Sequence, residues 1–252
     1  MSSSNFAVYA IDVRGFGSWM KSEGHEQVDF EGCLQDIRKT LVDIRRTHPG
    51  LPVFLLGESM GGAIALRAAA LHPELVSGLI SSVPAAERFQ QKKTDLKVAL
   101  HILEGYNKPF NVGKKVIKQA TTKEDLREKW ADDPLDRLNL SPHELIQFQR
   151  FMNENHDSAE KIVNTPVLIV QGCGDKLVRP KGTVELFDDL STQDKQMVLV
   201  KGAEHLIFED GQFTPGVIAM VTQWLNDHIE NSGSAGWKPA LPEFSNASRR
   251  AQ

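Results

Sequence analysis

The sequence predicts an α/β fold, a mostly parallel sheet with helices on both faces, on three observations. Short apolar runs alternate with helix-forming stretches along most of the 252 residues. One of them, Val53-Phe-Leu-Leu, passes through Gly57-Glu58-Ser59-Met60-Gly61 into the helix-forming run Ala63–Ala70. The alternation breaks once, between Pro84 and about Asn164, where charge and helical periodicity persist without a convincing strand. That stretch is too long for an ordinary connection, so a helical lid inserted into the sheet is expected.

In chain order, strands are expected near 6–12, 53–57, 76–82, 166–171 and 196–200, each an apolar run ended by glycine, proline or a charged residue. The core then comprises 1–84 and 165–230, and the insertion covers 85–164. Inside the insertion, Leu96–Leu103 is apolar around most of its circumference, with Lys97, His101 and Glu104 as a narrow polar row. Ser141-Pro-His-Glu144 is a capping box with proline at the first helical position, so a helix starts there and carries Leu145, Phe148 and Met152 on one face. The segment 231–252, rich in Gly, Ser, Pro and Asn and without periodicity, reads as a disordered tail.

Chemistry collects at the expected carboxyl ends of the strands. A serine between glycines, at a strand-to-helix junction, sits on a tight turn that pushes its hydroxyl outward, and Ser59 is therefore the candidate nucleophile. Such a serine needs a base and a group to orient the base. Asp175 follows the 166–171 strand and His205 the 196–200 strand, so all three can converge on one sheet edge. Glu204 and Glu209 flank His205 and are the alternatives to Asp175. Asp12 and Arg14 read as a loop pinned by backbone hydrogen bonds and an ion pair rather than as a catalytic pair. Cys33 and Cys173 are too few for a disulfide framework, have no metal-ligand spacing, and read as small buried residues. His101, His143 and His156 read as surface groups.

The segments Ile11-Asp-Val-Arg-Gly-Phe-Gly17, Gly57-Glu-Ser-Met-Gly-Gly62, Gly172-Cys-Gly-Asp175 with Val178-Arg-Pro180, and Gly202-Ala-Glu-His205 stand in an order that resembles the α/β-hydrolase superfamily. Within it the chain is similar to the monoacylglycerol lipases and lysophospholipases. The resemblance implies a serine ester hydrolase with an acyl-serine intermediate: Ser59 attacks, His205 is the base, Asp175 orients it, and Met60 N–H is an oxyanion donor. It also implies a cap over an acyl pocket, which would bring Leu100, Leu103, Phe148, Val178 and Leu206 to the substrate; the bland alternative is that these side chains only dock the cap. Serine at the elbow separates the chain from relatives that use aspartate there. Family members carry strands ahead of the one matched by 6–12, with a His-Gly segment supplying a second oxyanion donor. The chain is accordingly expected to lack those N-terminal strands and that donor, with reduced activity. A thioesterase, a proline-type aminopeptidase or a non-catalytic binding protein on the same scaffold are the other readings, because substrate choice lives in the cap.

Composition frames the site. A chain with 40% hydrophobic and 25% charged residues buries a sizeable core, and a net charge of -4 leaves no electrostatic footprint for nucleic acid. No apolar run is long enough to span a membrane and no signal peptide is visible at Met1-Ser-Ser-Ser. A cytoplasmic enzyme is expected, with contact to a membrane surface open, a small acyl ester or lipid as its partner, and no cofactor or metal implied.

Overall fold

The computed structural model describes residues 6–84, 101–102 and 105–234, with side chains through Ile229. Helix α1 (Phe30–Thr47) starts at Asp29, whose carboxylate accepts the Gly32 N–H. It leads to strand β1 (Phe54–Glu58), which turns at Ser59 directly into α2 (Met60–Leu71). Strand β2 (Gly78–Ser82) follows. A helical segment then carries a two-residue ladder, β3 (Phe110–Asn111) against β4 (Asn139–Leu140), with α3 (Gly113–Ala120) and α4 (Glu124–Asp132) between them. Helices α5 (Pro142–Asn153) and α6 (Asn155–Glu160) return the chain to β5 (Val167–Gly172), α7 (Pro180–Asp189), β6 (Lys195–Val200) and the long α8 (Pro215–Ser234). The capping box at α5 forms as expected, Ser141 and Glu144 each bonding the other's backbone N–H.

The main sheet is parallel in the order β1-β2-β5-β6. Alternate residues of β5 serve opposite faces: Val167 and Ile169 join Leu79, α1 and α2 in one core, whereas Leu168 and Val170 join Ile80, Val221 and Trp224 of α8 in the other. Helix α2 is nearly enclosed, with Ala63, Ala65, Ala68 and Ala69 all buried without bulk, and Gly62 lies against Ser81 and Ser82 of the sheet. This two-sided burial fixes the carboxyl ends of the strands, where the turns after β1, β2, β5 and β6 meet.

Three expectations change. The 6–12 segment is not a strand: Val8, Tyr9 and Ile11 are 60%, 52% and 50% exposed, and β1 is the outer strand of the sheet. Side chains hold it instead, Asp12 accepting the Ser18 N–H at 2.9 Å and Tyr9 O–H meeting His48 at 2.7 Å. Apolar content makes a strand only where a neighbour's ladder receives its backbone, and β1 does not receive it. The insertion also contains the short β3–β4 ladder, which two residues per strand are too few to announce in the sequence. The expected tail boundary at 231 falls inside α8, which runs through Ser234. Of the Leu96–Leu103 run, only His101 and Ile102 lie among the described residues, and His101 stacks on Phe110 with centroids 3.8 Å apart.

Candidate active site

Ser59 has φ 55° and ψ -116°, a left-handed backbone that a non-glycine residue adopts at a cost. Its N–H is tied across to Ser82 O at 2.9 Å, which holds the turn shut. Glycine is required beside it for contact rather than for φ: a β-carbon on Gly57 would stand 2.1 Å from Gly61 O, and one on Gly62 2.7 Å from Ser82 O. Gly61, by contrast, has open space. A serine ahead of a helix ordinarily caps it, yet Ser59 makes no side-chain cap bond to α2. Its hydroxyl is directed to His205 Nε2 at 2.8 Å. Met60 N–H belongs to the first turn of α2, where no acceptor exists within the helix.

His205 is 1% exposed, and its Nδ1 lies 2.8 Å from Asp175 Oδ2. With Nδ1–H donated to Asp175, Nε2 is left to accept the Ser59 O–H. Asp175 is itself held in the turn after β5: Oδ1 accepts the N–H groups of Leu177 at 2.8 Å and Val178 at 2.9 Å, and Oδ2 accepts Gln171 Nε2 at 3.2 Å. Thr183 O–H donates to Gln171 Oε1 at 2.7 Å, so α7 braces the amide that braces the acid. A buried carboxylate, an imidazole and a hydroxyl in this chain can move a proton off the hydroxyl and stabilise the imidazolium that results.

Of the two flanking glutamates, Glu204 does other work. Glu204 Oε2 accepts Thr122 N–H at 2.7 Å and Thr121 O–H at 2.8 Å, and His205 N–H donates to Ala120 O at 3.2 Å. Burial pushes the Glu204 carboxyl up, but these bonds and Lys176 together outweigh it, so its pKa lies below the ordinary value. The end of α3 is thereby bonded to the loop that carries His205. Arg14 pairs with Asp29 and Asp36, at 2.8 and 2.6 Å, so the expected pinned loop is present but its ion pair reaches α1 and not Asp12. Beside that cluster Cys33 is buried, and burial pushes its thiol up to about 12. Cys173, expected to be buried, is exposed, because it lies in the turn beyond β5 where the strand's two-sided burial has ended.

Among the expected substrate contacts, Leu100 and Leu103 lie outside the described residues. Phe148 packs beside Phe30, ring centroids 6.0 Å apart, at the edge of the α1–α2 core. Val178 is buried in the turn that holds Asp175. Leu206 lines a cavity of about 190 Å³ with Thr122, Lys123, Ala203, Glu204 and Gln212, and none of Ser59, Asp175 and His205 lines it. The residue that sequence reasoning passed over is Glu58. It stands between Gly57 and Ser59, and its carboxylate accepts the N–H groups of Ile207 at 2.7 Å and Phe208 at 3.0 Å. A charged residue at the inner end of an apolar strand was the available signal. No helix among the described residues is long and apolar enough to cross a membrane.

Known proteins match most of the chain. The sequence profile of the family described as serine aminopeptidase, S33, matches residues 1–212. Human monoglyceride lipase is 30% identical over 90% of this chain and 76% of its own length. The monoacylglycerol lipase of Mycolicibacterium smegmatis is 25% identical over 90% of this chain and 80% of its own. Among solved structures, the monoacylglycerol lipase of Paleococcus ferrophilus superposes with a TM-score of 0.74 at 29% identity, covering 90% of this chain and 85% of that one. A soluble variant of the Saccharomyces cerevisiae monoglyceride lipase, in complex with a substrate analog, gives 0.71 at 26% identity, covering 86% and 76%.

Proposed function

The chain belongs to the serine aminopeptidase S33 family and has the α/β-hydrolase fold, and from that premise we propose that it hydrolyses monoacylglycerols or lysophospholipids through an acyl-serine intermediate. The observation that carries the reading is the unbroken hydrogen-bond path from Ser59 through His205 to Asp175, at a strained elbow. Its likeness to monoglyceride lipases selects an ester over a peptide as the bond cleaved.

In this reading Ser59 Oγ attacks the ester carbonyl carbon while His205 Nε2 takes the hydroxyl proton. The oxyanion faces Met60 N–H, and a donor in that role is worth roughly 10²- to 10³-fold in kcat. Collapse breaks the acyl–oxygen bond, and His205 returns the proton to the departing glycerol oxygen. Water then repeats the sequence on the acyl-enzyme, with His205 as base, and releases the fatty acid. Asp175 holds the imidazole throughout and keeps its charge. The segment 85–164 is the lid in this account, with Leu100, Leu103, Phe148, Val178 and Leu206 as the positions assigned to the acyl chain.

A fluorophosphonate tests the nucleophile and a graded set of glyceryl esters tests the substrate. Ser59 is expected to take the label alone, and Ser59→Ala to lose both label and turnover, the latter by about 10⁵-fold or more. Label on a different serine, or turnover that survives in Ser59→Ala, overturns the reading.

A further inference from the structure

Glu58 is the last residue of β1, in register with Ser82 of β2 and directly ahead of Ser59. Its Oε1 collects three donors: Ile207 N–H at 2.7 Å, Phe208 N–H at 3.0 Å and Ser82 O–H at 3.0 Å. Ser82 in turn gives its carbonyl to Ser59 N–H. The elbow and the stretch that follows His205 therefore share one hydrogen-bonded knot, although they stand 149 residues apart in the chain.

Burying a carboxylate costs the fold unless donors hold it, so an acceptor with three donors at this place calls for an account. Burial raises the Glu58 pKa above its ordinary value of 4.5 in spite of the two backbone bonds, the Ser82 bond and the attraction of His205, all of which lower it. On the far side of the knot, Ile207 is 1% exposed and anchored among Val221 and Trp224. Upstream, Gly174 N–H holds Ala203 O at 2.8 Å. His205 lies between these anchors, and the one that connects its loop to the nucleophile's own strand is Glu58.

We propose that Glu58 is a positioning residue for hydrolysis: by accepting the Ile207 and Phe208 N–H groups, it fixes His205 Nε2 against Ser59 Oγ. This rests on the proposed function, since it concerns the same base and nucleophile. Glu58 hydrogen-bonds to the Ile207 and Phe208 backbone and to Ser82, none of them a reacting atom. It acts through the backbone that carries the base, and a displacement of about 1 Å between reacting groups costs on the order of 10²-fold in rate.

The test compares Glu58→Ala and Glu58→Gln with the wild-type chain on a glyceryl ester, with competent sites counted by fluorophosphonate. Alanine removes the acceptor, so kcat per labelled site is expected to fall about 10²-fold while KM stays within about twofold. Glutamine keeps a carbonyl oxygen in the same place without the charge and is expected to restore kcat to within about fivefold of wild type. Should the alanine variant fail to fold, Glu58→Asp replaces it; drawing the acceptor back by one methylene is expected to cost about tenfold or more in kcat. A kcat per site within about threefold of wild type in the alanine or aspartate variant overturns the proposal, and so does glutamine as impaired as alanine. A wild-type chain that labels at Ser59 yet cleaves no glyceryl ester overturns the substrate reading alone, and the same variants are then compared on an activated aryl ester.

Discussion

The loop that carries His205 has two sides, and they are built differently. On the sheet side it meets groups whose positions leave little freedom: Ser59 in a left-handed turn closed by Ser82, Asp175 with every carboxylate oxygen bonded, and Glu58 at the end of a strand. On the other side it meets the helical segment between β2 and β5, through Ala120 O, Thr121 O–H and Thr122 N–H. Ala120 and Thr121 are as buried as Asp175 and His205, while Thr122 and its bond to Glu204 are exposed to water. A bond between exposed groups contributes less and breaks more readily than the same bond in the core. The difference teaches that Ser59, Asp175 and His205 are held by the scaffold, and that the helical segment meets their loop through one buried, one part-buried and one exposed bond, the last the most easily released.

The comparison breaks most visibly at Asp175. Asp175→Asn keeps the size but gives His205 Nδ1 the wrong partner, so turnover on an ester should fall by about 10⁴-fold. A loss under about tenfold, joined to a larger loss on changing Glu204 or Glu209, would place the orienting charge on the other side of the loop. A second way to press on the sheet side is the elbow itself. Gly57→Ala drives a β-carbon to 2.1 Å from Gly61 O, and a destabilisation of about 3 kcal/mol is expected in chemical unfolding. Gly61→Ala, one turn away in open space and inside a helix, should change stability by less than about 1 kcal/mol, and in the favourable direction. Equal losses in the two variants would show that the turn, and not the contact, sets the glycine requirement.

The side toward the helical segment sharpens the contrast through pH. The Glu204 pKa is depressed below the ordinary 4.5, so its contribution to stability is present above that value and is lost as pH falls through the depressed one. Glu58 has the opposite sign: its raised pKa favours the folded state below 4.5 and loses that contribution as pH rises through the raised value. Glu204→Gln should therefore flatten the fall of the melting temperature on acidification while turnover at neutral pH drops less than about tenfold. Melting curves of variant and wild type with the same slope below pH 4.5 would remove Glu204 from this role.

The order Ser59, Asp175, His205 was legible because each follows an apolar strand, and parallel strands deliver their carboxyl ends to one edge. The four strands of the main sheet were legible for the same reason. The 6–12 segment misled because its composition is a strand's and its surroundings are not: whether a ladder accepts it is decided by the edge of β1. Glu58 was in plain view inside the elbow, but its partners are main-chain N–H groups that carry no sequence signature. Cys173 was misjudged because burial ends within a residue of Gly172, at a turn whose outward face composition does not reveal.

The bond from His205 N–H to Ala120 O makes one fastening of two parts. If 85–164 is the lid, as proposed, any displacement of the end of α3 would take the acceptor from the histidine's own amide, so that closing the lid and holding the base would be a single event.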